Sequence, residues 1–339
     1  MNISFRTRQR LKRGALITLV TVLILGLLGS LWFIWLKRKV VYTRDEGAVI
    51  DMNLSDEFAP GSSPAPVETT PVTIYYNEGA NAINTATELT QIIGYYADES
   101  ALADGVDVVL EQVKSLPAST PIMLDVKNAK GAFFYSSSIC ASRPSNIDTA
   151  GMDELIGYLN DNHYYAIARL PALRDYEYGL NHVSDGLPTS GGYLWADDDY
   201  CYWLDPTSQG TITYLISIVS ELKALGFDEV VFDNFYFPET DQIVFEGDKD
   251  QAIADAANTL VTAGSTENFT VSFVGQTPLF PLPAGRSRLY LVGPSAAQAE
   301  TLAQQTGIED TAVRLVFMTE VHDTRFDVYS VLRPLEAAH

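Results

Sequence analysis

The chain has 339 residues, 47% of them hydrophobic, and a formal net charge of −21 at pH 7. That length suffices for one large domain or two small ones with a buried core. Nine basic residues and no acid occupy positions 1–44, whereas the other 13 Lys and Arg face all 43 Asp and Glu; so acidic a body repels polyanions and excludes nucleic acid as the expected partner.

Residues 1–13 form a basic segment that the positive-inside bias places in the cytoplasm. Residues 14–36, "GALITLVTVLILGLLGSLWFIWL", run without a charge for a length that crosses a bilayer with some tilt. Aromatics and the cations Lys37, Arg38 and Lys39 close that run, as at a membrane interface. The expectation is a single-pass cell-membrane protein with its acidic C-terminal domain extracellular. Residues 37–72, rich in proline, serine and acids, read as a flexible linker, and residues 73–335 as the folded domain.

Within that domain apolar runs alternate with helical patterns. "TQIIGYYA" precedes "ADGVDVVLEQVKSL", whose Val106, Val109, Leu110 and Val113 share one helical face. "PIMLDVK", the helix "DTAGMDELIGYLNDN" and the strand "YYAIARL" follow. The helix "TITYLISIVSELKALG" stops at Gly226, and "FDEVVFD" begins at once. "DKDQAIADAANTLVTAG", "NFTVSFVG", "SRLYLVG", "SAAQAETLAQQTG" and "AVRLVFMT" continue the alternation, with "RFDVYSVL" as a weaker last strand near 327–331. Eight short apolar strands over about 250 residues point to a (β/α)8 TIM barrel behind one N-terminal transmembrane helix. Three prolines in "QTPLFPLPAGR" leave no room for a helix, so the barrel is expected to be irregular in its second half.

In such a barrel the C-terminal strand ends face the site. Those ends present Asp125 and Lys127 after strand two, Arg169 after strand three, Asp233 and Asn234 at strand four, and Glu320 past strand seven. The long loops add Asp175, Trp195, Asp197, Trp203 and Asp205. Carboxylates with tryptophans at a barrel mouth suit sugar chemistry: one acid protonates the leaving oxygen, another attacks or stabilises the anomeric carbon, and indoles stack on sugar rings. Plainer roles stand beside these. Asp205 before Pro206 can simply start a turn, the tryptophans can anchor loops, and Arg169 can pair with Asp125 or Asp233. Asp228 and Glu229 are expected to be solvated at the barrel's bottom. Four histidines show neither HxH nor HExxH spacing, so no metal and no cofactor are expected. Cys140 and Cys201 are too few for a disulfide scaffold; a single bridge and two free thiols are both open.

"IMLDVKNAKGAFFYSS", "YAIARL", "LRDYEYG", "GGYLWADDDYCYWLDPTS" and "ELKALGFDEVVFDNFYFP" occur in the order and spacing of one bacterial family. Together they resemble the putative glycoside hydrolase family of TIM-barrel domains, often membrane-anchored, with an FDYVRFP-like motif on strand four. The resemblance spans roughly residues 90–275 and implies a TIM barrel and a carbohydrate substrate, such as a cell-wall polysaccharide. It puts Asp233 at the catalytic aspartate; since strand five offers no acid, Asp125 and Glu320 are the candidates for the second carboxylate. It likewise gives Asp125 and Lys127 to the second-strand pair, Arg169 to the arginine after strand three, and Trp203 and Asp205 to the Trp-Leu-Asp-Pro element. Trp195 and Asn234 are further substrate-binding candidates. Two departures stand out. Tyr236 replaces the family's arginine, and strand five shows Ser272 where an acid is usual. A barrel that binds glycan or a cell-surface partner without turnover is therefore the competing expectation.

Overall fold

The computed structural model describes residues 40–43, 47–50, 89–275, 281–320 and 322–335. The segment 14–36 lies outside them, as does most of 37–72; among the described residues no helix is long and apolar enough to cross a membrane. Inside the expected linker, Val40–Thr43 and Gly47–Ile50 pair as an antiparallel hairpin. That hairpin belongs to a unit of residues 1–78, and the remainder to a second unit, 79–339.

The second unit is a closed barrel of eight parallel strands. In chain order they are β1 (Ile93–Ala97), β2 (Pro121–Asp125), β3 (Tyr165–Pro171), β4 (Glu229–Asp233), β5 (Thr270–Val274), β6 (Leu289–Val292), β7 (Leu315–Met318) and β8 (Ser330–Pro334). Helices α1 (Glu99–Asp104) and α2 (Val106–Lys114) follow β1, and α3 (Thr149–Asp161) follows β2. The short α4 (Tyr176–Asn181) and the long α5 (Gln209–Ala224) lie between β3 and β4. Then come α6 (Lys249–Gly264), α7 (Ala299–Thr306) and the single turn α8 (Thr311–Arg314).

The second half is irregular, as the prolines required. No helix joins β5 to β6 among the described residues, and only the 3-10 turn Thr324–Phe326 joins β7 to β8. That turn moves the last strand to 330–334, because Phe326 and Tyr329 pack on Phe317 instead of entering the sheet.

Alternation along the strands sorts the core into two shells. Met123, Ile167, Val231, Val274, Tyr290, Val316 and Leu332 form the cluster inside the barrel. Ile122, Leu124, Ala168, Val230, Phe232 and Phe273 face outward and pack with Val109, Leu155, Leu215 and Leu260 of the helices. The predicted face of α2 is the buried one.

Glu229 shares its inward direction with Val231, and here the structure corrects the expectation of a solvated acid. Its side chain is fully buried and paired with Arg288. The Tyr165 and Tyr290 hydroxyls donate to it at 2.9 Å, and the Ser272 hydroxyl at 2.5 Å. Arg288 also donates to the carbonyls of Val313 and Thr90 at 2.9 and 3.0 Å. Burial, then the neighbouring Glu229 charge, pushes the Tyr165 and Tyr290 phenols far up, so both stay hydroxyl donors. Ser272 thus belongs to the barrel floor, and the β5 residue nearest the mouth is Val274. Asp228 is not free either: it accepts the Ala166 N–H at 2.8 Å, and burial raises its carboxyl. Removing one partner of a buried pair leaves an uncompensated charge. Arg288→Met should therefore lower the unfolding free energy by about 3–5 kcal/mol, measured by urea titration, whereas a conservative exposed change such as Lys114→Arg should leave it unchanged.

Candidate active site

Strand β4 ends at its acid because the next residue turns the chain. Asn234 adopts a left-handed backbone (φ 49°), a conformation asparagine tolerates better than most residues. The turn sends Phe235 back into the core against Phe273, ring centroids 4.8 Å apart, and Pro238 is buried behind it. Asp233 is left at the mouth. Its Oδ1 accepts the Asn234 N–H at 2.6 Å, and its main-chain carbonyl accepts the Ala172 N–H at 2.8 Å.

One strand away, Arg169 grips Asp125 with both arms of its fork. Nε donates to Oδ1 at 2.6 Å and Nη2 to Oδ2 at 3.0 Å. The Glu99 N–H donates to Oδ2 as well, at 2.8 Å. These side chains are only 16% and 14% exposed. Charge-assisted bidentate geometry of this kind fixes both partners in place. Arg169 and Asp233 line a cleft of about 420 Å³ together with Val274, Val292, Pro294 and Gln298. Burial pushes the Asp233 carboxyl above its ordinary value. The Arg169 charge and the Asn234 amide pull it down, the Asp125 charge adds to the rise, and the net direction is upward. Asp125, Arg169 and Asp233 are thus one electrostatic cluster.

Tyr96, at the end of β1, joins the same cluster. Burial raises its phenol first, then the charges of Glu320 and Asp98, with Arg169 opposing and Asp125 adding. The strand end "IGYYA" holds Tyr96, but a phenol carries no charge to mark it in the sequence. Gln298 had no sequence signal; it enters the cleft only because α7 follows β6.

The remaining candidates divide. Glu320 is exposed and lines a separate groove with Tyr95, His322 and Arg333. Lys127 is not at the cleft: it is buried in a 2.7 Å ion pair with Asp175, whose Oδ2 also accepts the Tyr214 hydroxyl at 2.8 Å. Asp205 caps a turn, accepting the Thr207 N–H and hydroxyl at 2.8 and 2.7 Å. Trp203 is 4% exposed and meets Tyr236 edge-on with centroids 5.0 Å apart. Its indole N–H donates to Asp197, which also takes Arg174 Nε. Burial pushes the Asp197 carboxyl up, but hydrogen bonds from Arg174, the Cys201 amide and Trp203 outweigh it and hold it at about 2. Trp203 is therefore a loop anchor, while Trp195 and Tyr236 remain half-buried beside it. Cys140 and Cys201 are both free thiols. Among the described residues no cluster of His, Cys, Asp or Glu could hold a metal ion.

A closed eight-stranded parallel barrel with carboxylates and an arginine gathered at the C-terminal strand ends has the layout of a barrel-type hydrolase. The family model described as "Putative glycosyl hydrolase domain" matches residues 97–270, from the end of β1 to the start of β5, and the chain belongs to that family. Asp125, Arg169 and Asp233 all fall inside the match; Glu320 falls outside it. No curated protein matches the chain. Among solved structures it is similar to a hypothetical protein from Ruminiclostridium thermocellum, 22% identical with a TM-score of 0.44, over 53% of this chain and 96% of that one. It is also similar to an alpha-galactosidase from Thermus thermophilus, 14% identical with a TM-score of 0.45, over 64% of this chain and 46% of that one. A third is an exo beta-N-acetylglucosaminidase from Vibrio harveyi, 8% identical with a TM-score of 0.46, over 68% and 41%. The chain spans less than half the length of those two enzymes.

The direction of the Asp233 shift has a measurable consequence. A carboxyl whose folded value is raised binds its proton more tightly in the native state, so it opposes stability as pH rises through the folded value. Asp233→Asn should therefore raise the melting temperature at pH 7, and the gain should vanish as pH falls below the ordinary aspartate value. Thermal melts from pH 3 to pH 7 check this; a gain that is constant with pH would contradict it.

Proposed function

We propose that this domain hydrolyses a glycosidic bond in a polysaccharide, with Asp233 as the proton donor and Asp125 as the second carboxylate. The observation that carries the reading is the half-buried, up-shifted Asp233 beside the Asp125–Arg169 pair. A general acid near neutral pH needs burial of this kind to keep its proton until the leaving oxygen takes it. Asp125 is level with Arg169 and Arg169 with Val231, so Asp233 stands two strands across and two residues further along, about 12 Å away between backbones. Such spacing suits an inverting arrangement, ~6.5–9.5 Å between carboxyls, better than a retaining one at ~5–5.5 Å. In this scheme Asp125 activates water, Arg169 orients Asp125, and Trp195, Asn234 and Tyr236 hold the sugar. Glu320, on its exposed groove, is the less favoured second acid.

A second reading has its own support. Both oxygens of Asp125 already accept hydrogen bonds, and Val274 supplies no acid from β5. A barrel that binds glycan without turnover fits those facts.

Turnover separates the two. The protein should release reducing ends from at least one polysaccharide of a broad panel, and Asp233→Asn should cut that rate by roughly 10²–10⁴-fold with binding retained. Binding without hydrolysis across the panel would select the second reading. We further propose a single-pass cell-membrane protein with the barrel outside, on the strength of residues 14–36 and their flanking charges. Protease added to intact cells should remove the domain; full protection would sink that placement.

A further inference from the structure

A second cavity, of about 610 Å³, lies between the loop after β2, α4 and the first turns of α5. None of the residues lining it lines the Asp233 cleft. Its walls are preformed. A side chain at Gly131 would collide with Glu177 and Asp175, and one at Gly210 with the Asp185 carboxylate, so both glycines exist for close approach of neighbouring elements. One wall is a three-ring stack, His182 on Tyr178 on Tyr214, with centroids 4.1 and 4.0 Å apart. Ile139 and Cys140 add apolar surface.

The two carboxylates at this cavity already accept hydrogen bonds. Asp185 accepts the Ser208 hydroxyl on Oδ1 at 2.6 Å and the Tyr178 hydroxyl on Oδ2 at 3.0 Å. Glu177 accepts the Asn181 amide at 3.2 Å. No Lys or Arg is among the described residues that line it. An anion meets two carboxylates and no Lys or Arg, and a cation meets carboxylates that already accept hydrogen bonds from hydroxyls and an amide. What remains open to a ligand is neutral: aromatic surface, and the amide and hydroxyl groups of Gln209, Thr213 and Ser217, which keep lone pairs to offer. Apolar ring surface edged by neutral hydrogen-bonding groups matches a sugar, which has apolar C–H faces and hydroxyl edges. The volume suits a ligand of two or three rings.

We infer that this cavity is an accessory binding site for a neutral oligosaccharide, separate from the Asp233 cleft; the choice of sugar rests on the carbohydrate reading above. A chain of bonded side chains runs from it toward β2. Asp175 takes both the Tyr214 hydroxyl and the Lys127 ammonium, and Lys127 stands two residues beyond Asp125.

Cys140 provides the test. Cys201 is 1% exposed, so N-ethylmaleimide labelling of the native full chain in detergent reports on Cys140, with Cys140→Ser as the control. Maltotetraose, cellotetraose and laminaritetraose are the probes. At least one should slow labelling, by about tenfold near ten times its dissociation constant. Thr213→Trp, an exposed rim change that fills the entrance, should abolish the slowing with an unchanged circular dichroism spectrum. Asp233→Asn should leave the slowing intact. Labelling unaffected by all three sugars, slowing that survives Thr213→Trp, or slowing by indole or choline alone would each overturn the inference. Protection of Cys140 without hydrolysis would remove the hydrolase reading and keep this site; hydrolysis without protection would do the reverse.

Discussion

A single ion pair sealed inside the barrel, Glu229 with Arg288, is the contact on which the architecture turns. Its atoms cannot reach water, so every polar group there must be satisfied by protein. The partners come from around the ring: Tyr165 on β3, Ser272 on β5, Tyr290 on β6, and the carbonyls of Thr90 before β1 and Val313 before β7. Strands far apart in sequence are thereby tied to one charge at the bottom of the barrel. Above it the interior is apolar, from Ile167 and Val231 to Val316 and Leu332. A polar floor, an apolar middle and an acidic mouth succeed one another along the same strand direction.

Strand β4 shows how this is built from the period of two. Glu229, Val231 and Asp233 point inward, while Val230 and Phe232 point to the helices. One five-residue strand thus places a carboxylate at each end of the barrel. The two acids meet different fates because their surroundings differ. Glu229 receives a guanidinium and three hydroxyls, whereas Asp233 accepts one amide and only feels the charge of Arg169, whose fork is bonded to Asp125. The less compensated acid is the one that faces the cleft, and burial raises its carboxyl above the ordinary aspartate value.

The mouth is organised in layers. Asp125 and Arg169 are locked to each other, the Asn234 turn presents Asp233, and the loop after β3 stands over that side through Arg174, Asp197 and Trp203. Lys127 and Asp175 belong to the support of that loop and of α4, not to the cleft. Residues that a strand-end rule treats as equivalent are in this way split between a rigid frame and the groups left to face a ligand.

Much of the barrel was legible in the chain alone, because apolar period and breakers act locally. The strand runs, the buried face of α2, the stop at Gly226 and the absence of a helix after β5 among the described residues follow from side-chain spacing, glycine and proline. The candidate acids were legible for the same reason: a strand end is a local feature. What local pattern cannot supply is which distant group meets each side chain. Only the closed barrel brought Arg288 across to Glu229 and turned an expected surface acid into a buried one. It also withdrew Lys127 to Asp175, buried Trp203, and moved Ser272 to the floor and Val274 to the mouth. Those outcomes depend on register and closure between strands tens of residues apart, and burial and charge compensation, which decide what an acid can do, exist only once those strands have met.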